Sequence, residues 1–228
     1  MNAKDGIRHP SQEKQPMSLY HYTDLVHLPH ILLDGKILPS RADAIPGMRQ
    51  GLVWLSTNPE WENTATSASA ETVPTPVRFK VPNHHGQHWY SLCQYLGADP
   101  PALDGMVHDG RRLGGYPEDW RASPHPIPLK HCTLEFPLGI GIGEYPQYIG
   151  PIRWQPVTES VRAELVPDHD PRLFRMAELA LRQRMSANDR RIAGAPSECR
   201  AVALIIDGRQ VLISFQLTFK SGYRGYMA

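Results

Sequence analysis

The stretch LYHYTDLVHLPHILLDGKILPS, Leu19 to Ser40, constrains the fold more than any other part of the chain. A short strand, Ser18 to Tyr22, runs into the polar cluster His21-Tyr22-Thr23, and a helix follows almost at once. Pro29 suits the first helical position, where a missing N–H costs nothing. Leu28, Ile31 and Leu32 recur at the spacing of one buried helix face, and Gly35 stops the helix. The segment "KILPS" continues as a short extended piece. A polar aromatic cluster at the mouth of a strand is poor core material, so the pattern points to a ligand that docks there.

Further strands follow from apolar runs of strand length. They are LVWLST (Leu52 to Thr57), VRFKV (Val77 to Val81), EDWRAS (Glu118 to Ser123) and IPLKHCTLEF (Ile127 to Phe136). Asn58, Pro59 and Glu60 carry the signals of a helix start directly after the first of these. A short helix is expected around Tyr90 to Leu96, then a Gly-rich loop. The cluster PLGIGIGEYPQYIGP marks a break. Beyond it, Pro171 to Ser186 reads as a helix with Leu173, Met176, Leu179 and Ala180 at helical spacing. Ala201 to Phe219 reads as a hairpin turning at Asp207-Gly208.

Among 228 residues, 22 prolines and 18 glycines favour many loops and few long helices. A net charge of +1 supplies no global field to draw in nucleic acid or a membrane. Cys93, Cys132 and Cys199 form neither a zinc pattern nor a disulfide framework, which favours the cytoplasm. No stretch reaches the roughly 20 apolar residues of a membrane span. The polar segment 1–17 reads as a mobile leader without a secretory core. The histidines of NHHGQH (His84, His85, His88) lie in a Pro/Gly-flanked loop, so a solvated loop is expected and no metal. "GIGIG" lacks the helix that a dinucleotide fingerprint opens.

Three segments place polar groups at strand edges: LYHYT, VWLSTNPEW and GGYPEDWRASPHPIPLKH. Together they resemble the ADP-ribosyltransferase fold. The first is similar to the opening of the DNA-modifying toxin ADP-ribosyltransferases of bacterial toxin–antitoxin pairs. The resemblance covers about Leu19 to Phe136. It implies an α+β fold whose split, mainly antiparallel sheet surrounds an NAD cleft. On this reading the domain spans 18–139, and 140–228 is an α+β segment of unknown role.

NAD would be the co-substrate, and a nucleic-acid base or a protein side chain the acceptor. An antitoxin or immunity protein would be a partner. Loss of nicotinamide passes through an oxocarbenium-like state, which a carboxylate stabilises while orienting the nucleophile. The resemblance gives that role to Glu118, with Asp119, Glu62, Glu164 and Glu198 as rivals. It gives His21 a hydrogen bond to the adenosine-side ribose, with Tyr22 and Thr23 lining the same wall. Trp54 would stack on nicotinamide, while Ser56 and Thr57 would reach ribose or amide. Each has a structural alternative: core packing for Trp54, capping for Ser56 and Thr57, a backbone-satisfied ring for His21. Trp61 and Trp120 are expected to pack.

The paired acidic motif of protein-directed transferases is absent, which leaves the acceptor open. Two other functions fit the same segments. One is a non-catalytic binding or phage/plasmid interaction module. The other is an enzyme like the RNA 2′-phosphotransferases, for which Arg41, Arg49 and Arg78 would be the basic set.

Overall fold

The computed structural model describes residues 18–40, 45–62, 64, 75–138, 152–167, 171–184, 196–219 and 224–227. The expected leader, the GIGIG cluster and residues 65–74 lie outside them. The chain is mixed α+β, and its sheets are antiparallel throughout the described pairings.

Strand β1 (Leu19–Asp24) leads to helix α1 (Leu28–Asp34) and strand β2 (Lys36–Ile37). Gly35 closes α1 at φ 65°, the left-handed value that glycine takes without strain. Strands β3 (Val53–Ser56), β4 (Pro76–Val81) and β5 (Gln87–His88) precede helices α2 (Trp89–Tyr95) and α3 (Pro100–Arg112). Then come β6 (Trp120–Ser123), β7 (Ile127–Pro128), β8 (Thr133–Pro137) and β9 (Trp154–Pro156). The C-terminal part holds β10 (Val161–Leu165), α4 (Pro171–Arg184), β11 (Pro196–Ile206), β12 (Arg209–Phe219) and β13 (Arg224–Met227).

Seven strands form one sheet in the order β5-β6-β3-β1-β4-β8-β9, and four form a second in the order β10-β11-β12-β13. The large sheet takes its last strand, β9, from beyond the break at residue 139. The two sheets also share a core. Leu204 of β11 is buried with Leu19, Leu55 and Phe79 of the large sheet, and α1 supplies Leu28 to the same cluster.

Helix α1 is enclosed on two sides. Leu28, Ile31 and Leu32 pack into that shared core, as their spacing predicts. His30 is also buried, 2 % exposed. Its Nε2 lies 3.0 Å from Ser214 Oγ on β12, and Ser214 donates its proton to the Val26 carbonyl at 2.7 Å. The hydroxyl proton is thus committed, so the imidazole donates from Nε2. Asp34 at the end of α1 meets Arg200 of β11 at 2.8 Å. The second sheet is docked through this helix.

Several elements differ from the sequence expectation for local reasons. No helix forms over 58–62. Asn58 accepts the Glu60 N–H and donates to the Trp61 carbonyl, which closes a turn instead. Helix α3 replaces the expected Gly-rich loop, because its prolines fall in the first turn, where they are tolerated. Its Gly110 faces Trp120 so closely that a Cβ there would lie 2.4 Å from the indole. The expected strand at Glu118 starts only at Trp120, and Glu118 sits in the 3-10 turn Pro117–Asp119. Ile127 to Phe136 divides between β7, which pairs with β2 as a separate two-stranded sheet, and β8 of the large sheet, with a 3-10 turn at Leu129–His131.

In α4 the buried side chains are Ala177 and Leu181, against Phe215, Leu217 and Phe219. Of the stripe picked out by spacing, Leu173, Met176 and Leu179 are exposed and Ala180 packs half-buried against that cluster. The hairpin turns at Asp207 and Gly208, both at positive φ, as a two-residue turn of this kind requires.

Burial, with the charges of Arg200 and His27 adding to it, lowers the His30 pKa to about 3. The unfolded ring takes up a proton near pH 6.5, well before the folded one does. Stability should therefore be full above pH 6.5 and fall as the pH drops toward 3, by about 1 kcal/mol per pH unit for this ring. Urea unfolding between pH 7 and pH 5 should show a shallower decline in His30→Gln than in the unaltered chain. An identical decline would mean that His30 is not a buried neutral ring.

Candidate functional site

Of the seven residues assigned to catalysis or cofactor binding, five lie on β1 and β3 and divide between the two faces of the large sheet. Alternation along β1 puts Leu19, His21 and Thr23 on the face of the shared core, and Tyr20 and Tyr22 on the other. Trp54 and Ser56 of β3 share the second face with Tyr22, because Tyr20 pairs with Ser56. Thr57 lies one residue beyond β3, tied to the turn before β6. Its Oγ1 donates to Asp119 Oδ1 at 2.9 Å, and its N–H to the Asp119 carbonyl at 2.9 Å.

His21 occupies an opening in the sheet. Strands β1 and β4 pair over six positions, whereas β1 and β3 pair at one, Tyr20 with Ser56. Beside that pair the ring Nδ1 of His21 lies 2.9 Å from the Trp54 carbonyl. A carbonyl only accepts, so Nδ1 carries the proton and Nε2 keeps a lone pair. Burial outweighs this bond, with the charge of His27 adding slightly, and lowers the His21 pKa to about 4. The ring is a neutral acceptor near pH 7. Thr23 lies 3.2 Å from His27 Nδ1, which is 3.3 Å from Asp24.

The second face is built around a buried ion pair. Arg78 of β4 donates from Nε to Glu135 Oε2 of β8 at 2.6 Å, and both side chains are buried. The guanidinium lies 4.3 Å from the Tyr20 ring centroid and 4.5 Å from that of Trp154. Such stacking suits a delocalised, weakly hydrated cation. Arg78 also donates to the Pro59 carbonyl, Tyr22 Oη to Asn58 at 2.6 Å, and Trp154 Nε1 to Glu60 at 2.6 Å. Three consecutive carbonyls of the loop after β3 are thereby held by side chains of three other strands. Trp61 completes the enclosure, 12° from parallel to Trp154 and edge-on to Tyr22.

This held loop carries Glu62 inward. Its carboxylate is 5 % exposed, and Oε1 accepts from Thr64 Oγ1 at 2.7 Å. Oε2 is buried near Trp120, whose indole N–H is the group placed to favour the ionised carboxylate. Burial raises the Glu62 pKa, so this carboxylate resists ionisation more than an ordinary glutamate.

Glu118 differs in kind. It is 62 % exposed, with Arg111 at 4.0 Å. Tyr20, Ser56 and Trp120 form one transverse row across β1, β3 and β6, which puts Trp120, two residues after Glu118, about 10 Å across the sheet from β1. Trp54 packs among Trp89 and Trp120, and Ser56 Oγ accepts the Asn58 N–H. Glu164 is an exposed residue of β10 paired with Arg162, and Glu198 is exposed on β11.

Sequence reading missed Glu135 as a partner for Arg78. The signal was a charged residue at an inward position in each of two apolar strands, VRFKV and TLEFP. Charges at such positions are buried only in pairs. Glu135→Gln should cost about 3–5 kcal/mol in chemical denaturation, because the guanidinium stays buried without its counter-charge. Replacing both partners by apolar residues, Arg78→Met with Glu135→Leu, should recover most of that loss. Equal losses in the single and double variants would show that the pair is not the cause. No protein-family model, curated protein or solved structure matches this chain, so the chemistry of the site rests on its own residues.

Proposed function

We propose that the chain is an NAD-dependent ADP-ribosyltransferase acting on a nucleic-acid base or a protein side chain. The observation that carries this reading is the short ladder between β1 and β3, paired at Tyr20 and Ser56 beside the His21 ring. The ring there is neutral, its Nδ1 proton is fixed, and its Nε2 can accept from a ribose hydroxyl. Of the other assigned residues, Thr23 shares the His21 face of β1, while Tyr22, Trp54 and Ser56 lie on the opposite face and Thr57 just past β3.

The chemistry needs a carboxylate that meets the developing positive charge on the ribose. On this reading Glu118, exposed just before β6 and beside Arg111, supplies it. Glu62 is the alternative, since its buried, hard-to-ionise carboxyl has the character of a general acid or base.

The phosphotransferase-like reading is weakened by one observation. It needs Arg78 at a substrate phosphate, and Arg78 is enclosed with Glu135. The non-catalytic module remains the competing class, and turnover separates it from the enzyme.

The purified chain should release nicotinamide from NAD over hours in the presence of DNA, RNA or a cell lysate. Glu118→Gln should cut the rate by about 10²–10³ with little change in NAD affinity. His21→Ala should mainly raise the NAD concentration required. Full activity in Glu118→Gln with none in Glu62→Gln would move the catalytic role to Glu62. No turnover with any acceptor would favour the binding module.

A further inference from the structure

We propose that His85 and His131 form a binding site for one divalent transition-metal ion. The two rings come from separate segments. His85 ends the 3-10 turn Asn83–His85 after β4, and His131 ends the 3-10 turn Leu129–His131 before β8. Strands β4 and β8 are antiparallel neighbours whose pairing includes Lys80 with Thr133. Their connections therefore leave the sheet at the same end, and the two histidines meet there.

The separation of the nitrogens decides what the pair suits. His131 Nδ1 lies 3.4 Å from His85 Nε2. A hydrogen bond from N–H favours about 2.9–3.0 Å, so the contact is long for one ring donating to the other. Two imidazole nitrogens on one tetrahedral ion, each at about 2.0–2.1 Å, stand about 3.3–3.4 Å apart. The ring centroids are 5.5 Å apart. The same tetrahedral arrangement puts them at about 5.2 Å, so a small shift of either ring completes it. His131 is exposed and His85 half-buried, so an ion reaches both from solvent.

Among the described residues, no three His, Cys, Asp or Glu side chains converge as a metal-binding group. The site is accordingly a two-histidine clamp with water in the remaining positions. Imidazole ligands select zinc, copper or nickel over magnesium or calcium. A bound ion would tie the β4–β5 connection to the β7–β8 connection. The first of these carries Gly86, whose backbone packs so closely on Leu19 and Leu55 that a Cβ there would lie 2.3 Å from Leu19. The ion would thereby fasten the cover over the start of β1. The site stands apart from the NAD reading and does not depend on it.

The test is calorimetric titration of the metal-free full chain with zinc chloride, with magnesium chloride as a comparison. Thermal unfolding is followed in parallel. One zinc ion per chain should bind and raise the melting temperature, and magnesium should do neither. His85→Ala and His131→Ala should each weaken binding by more than about tenfold, since a lost ligand costs at least as much as a lost second-shell partner. His108→Ala, an exposed histidine of α3, should bind as the unaltered chain does. The proposal is overturned if zinc does not bind, if binding survives both ligand variants, or if magnesium binds equally well.

Discussion

Helix α1 is the constraint on which the rest of the fold depends. Seven residues are packed on one side into the core under the large sheet and bonded on the other to the second sheet. A helix this short has almost no stability of its own, so packing must hold it. In return it sets the position of both sheets. Leu28 places it against β1 and β4, and His30 and Asp34 place β12 and β11 against it. The polar contacts tolerate little adjustment. Ser214 has one proton, which goes to Val26, so His30 must donate from Nε2, and burial beside Arg200 keeps the ring neutral.

A second network fixes the opposite face. The buried Arg78–Glu135 pair gains little stability over an apolar replacement, because desolvation offsets most of its attraction. Its contribution is geometric. The guanidinium aligns Tyr20 and Trp154 and holds Pro59, so the loop after β3 has one conformation. That loop carries Glu62 from the strand edge into the interior. A carboxyl delivered there by a rigid scaffold is chemically distinct from Glu118, which sits in solvent beside Arg111. Both belong to the end of the sheet where β3 and β6 meet, and Glu62 is the buried one of the two.

Between these networks lies the opening at His21. An antiparallel ladder that closes after one pair leaves backbone groups needing partners. The imidazole meets one of them, the Trp54 carbonyl, and so acquires a fixed tautomer. The proposed role in ribose recognition follows from that tautomer rather than from the histidine alone.

The sequence by itself determined the local elements. The strand–helix–glycine order of Leu19 to Gly35, the Asp207-Gly208 turn and the strand at VRFKV are legible because short-range sterics and period-two burial dictate them. The mixed α+β character followed from the same signals. The tertiary structure alone decided which side chains meet. Glu135 reaches Arg78 across 57 residues, and Ser214 reaches His30 across 184. It also decided that Asn58 closes a turn rather than a helix, since Tyr22 holds its carbonyl and Arg78 and Trp154 hold the next two. Spacing marked the wrong stripe of α4, because Phe215 and Phe219 accept small residues such as Ala177 and leave Leu173 and Met176 outside. Period and propensity act over a few residues, whereas a site is made by strands that pair in an order no local signal encodes. Strand alternation alone turns His21 and Tyr22 to opposite sides of one sheet, but the order of the strands decides that one meets Trp54 and the other Asn58.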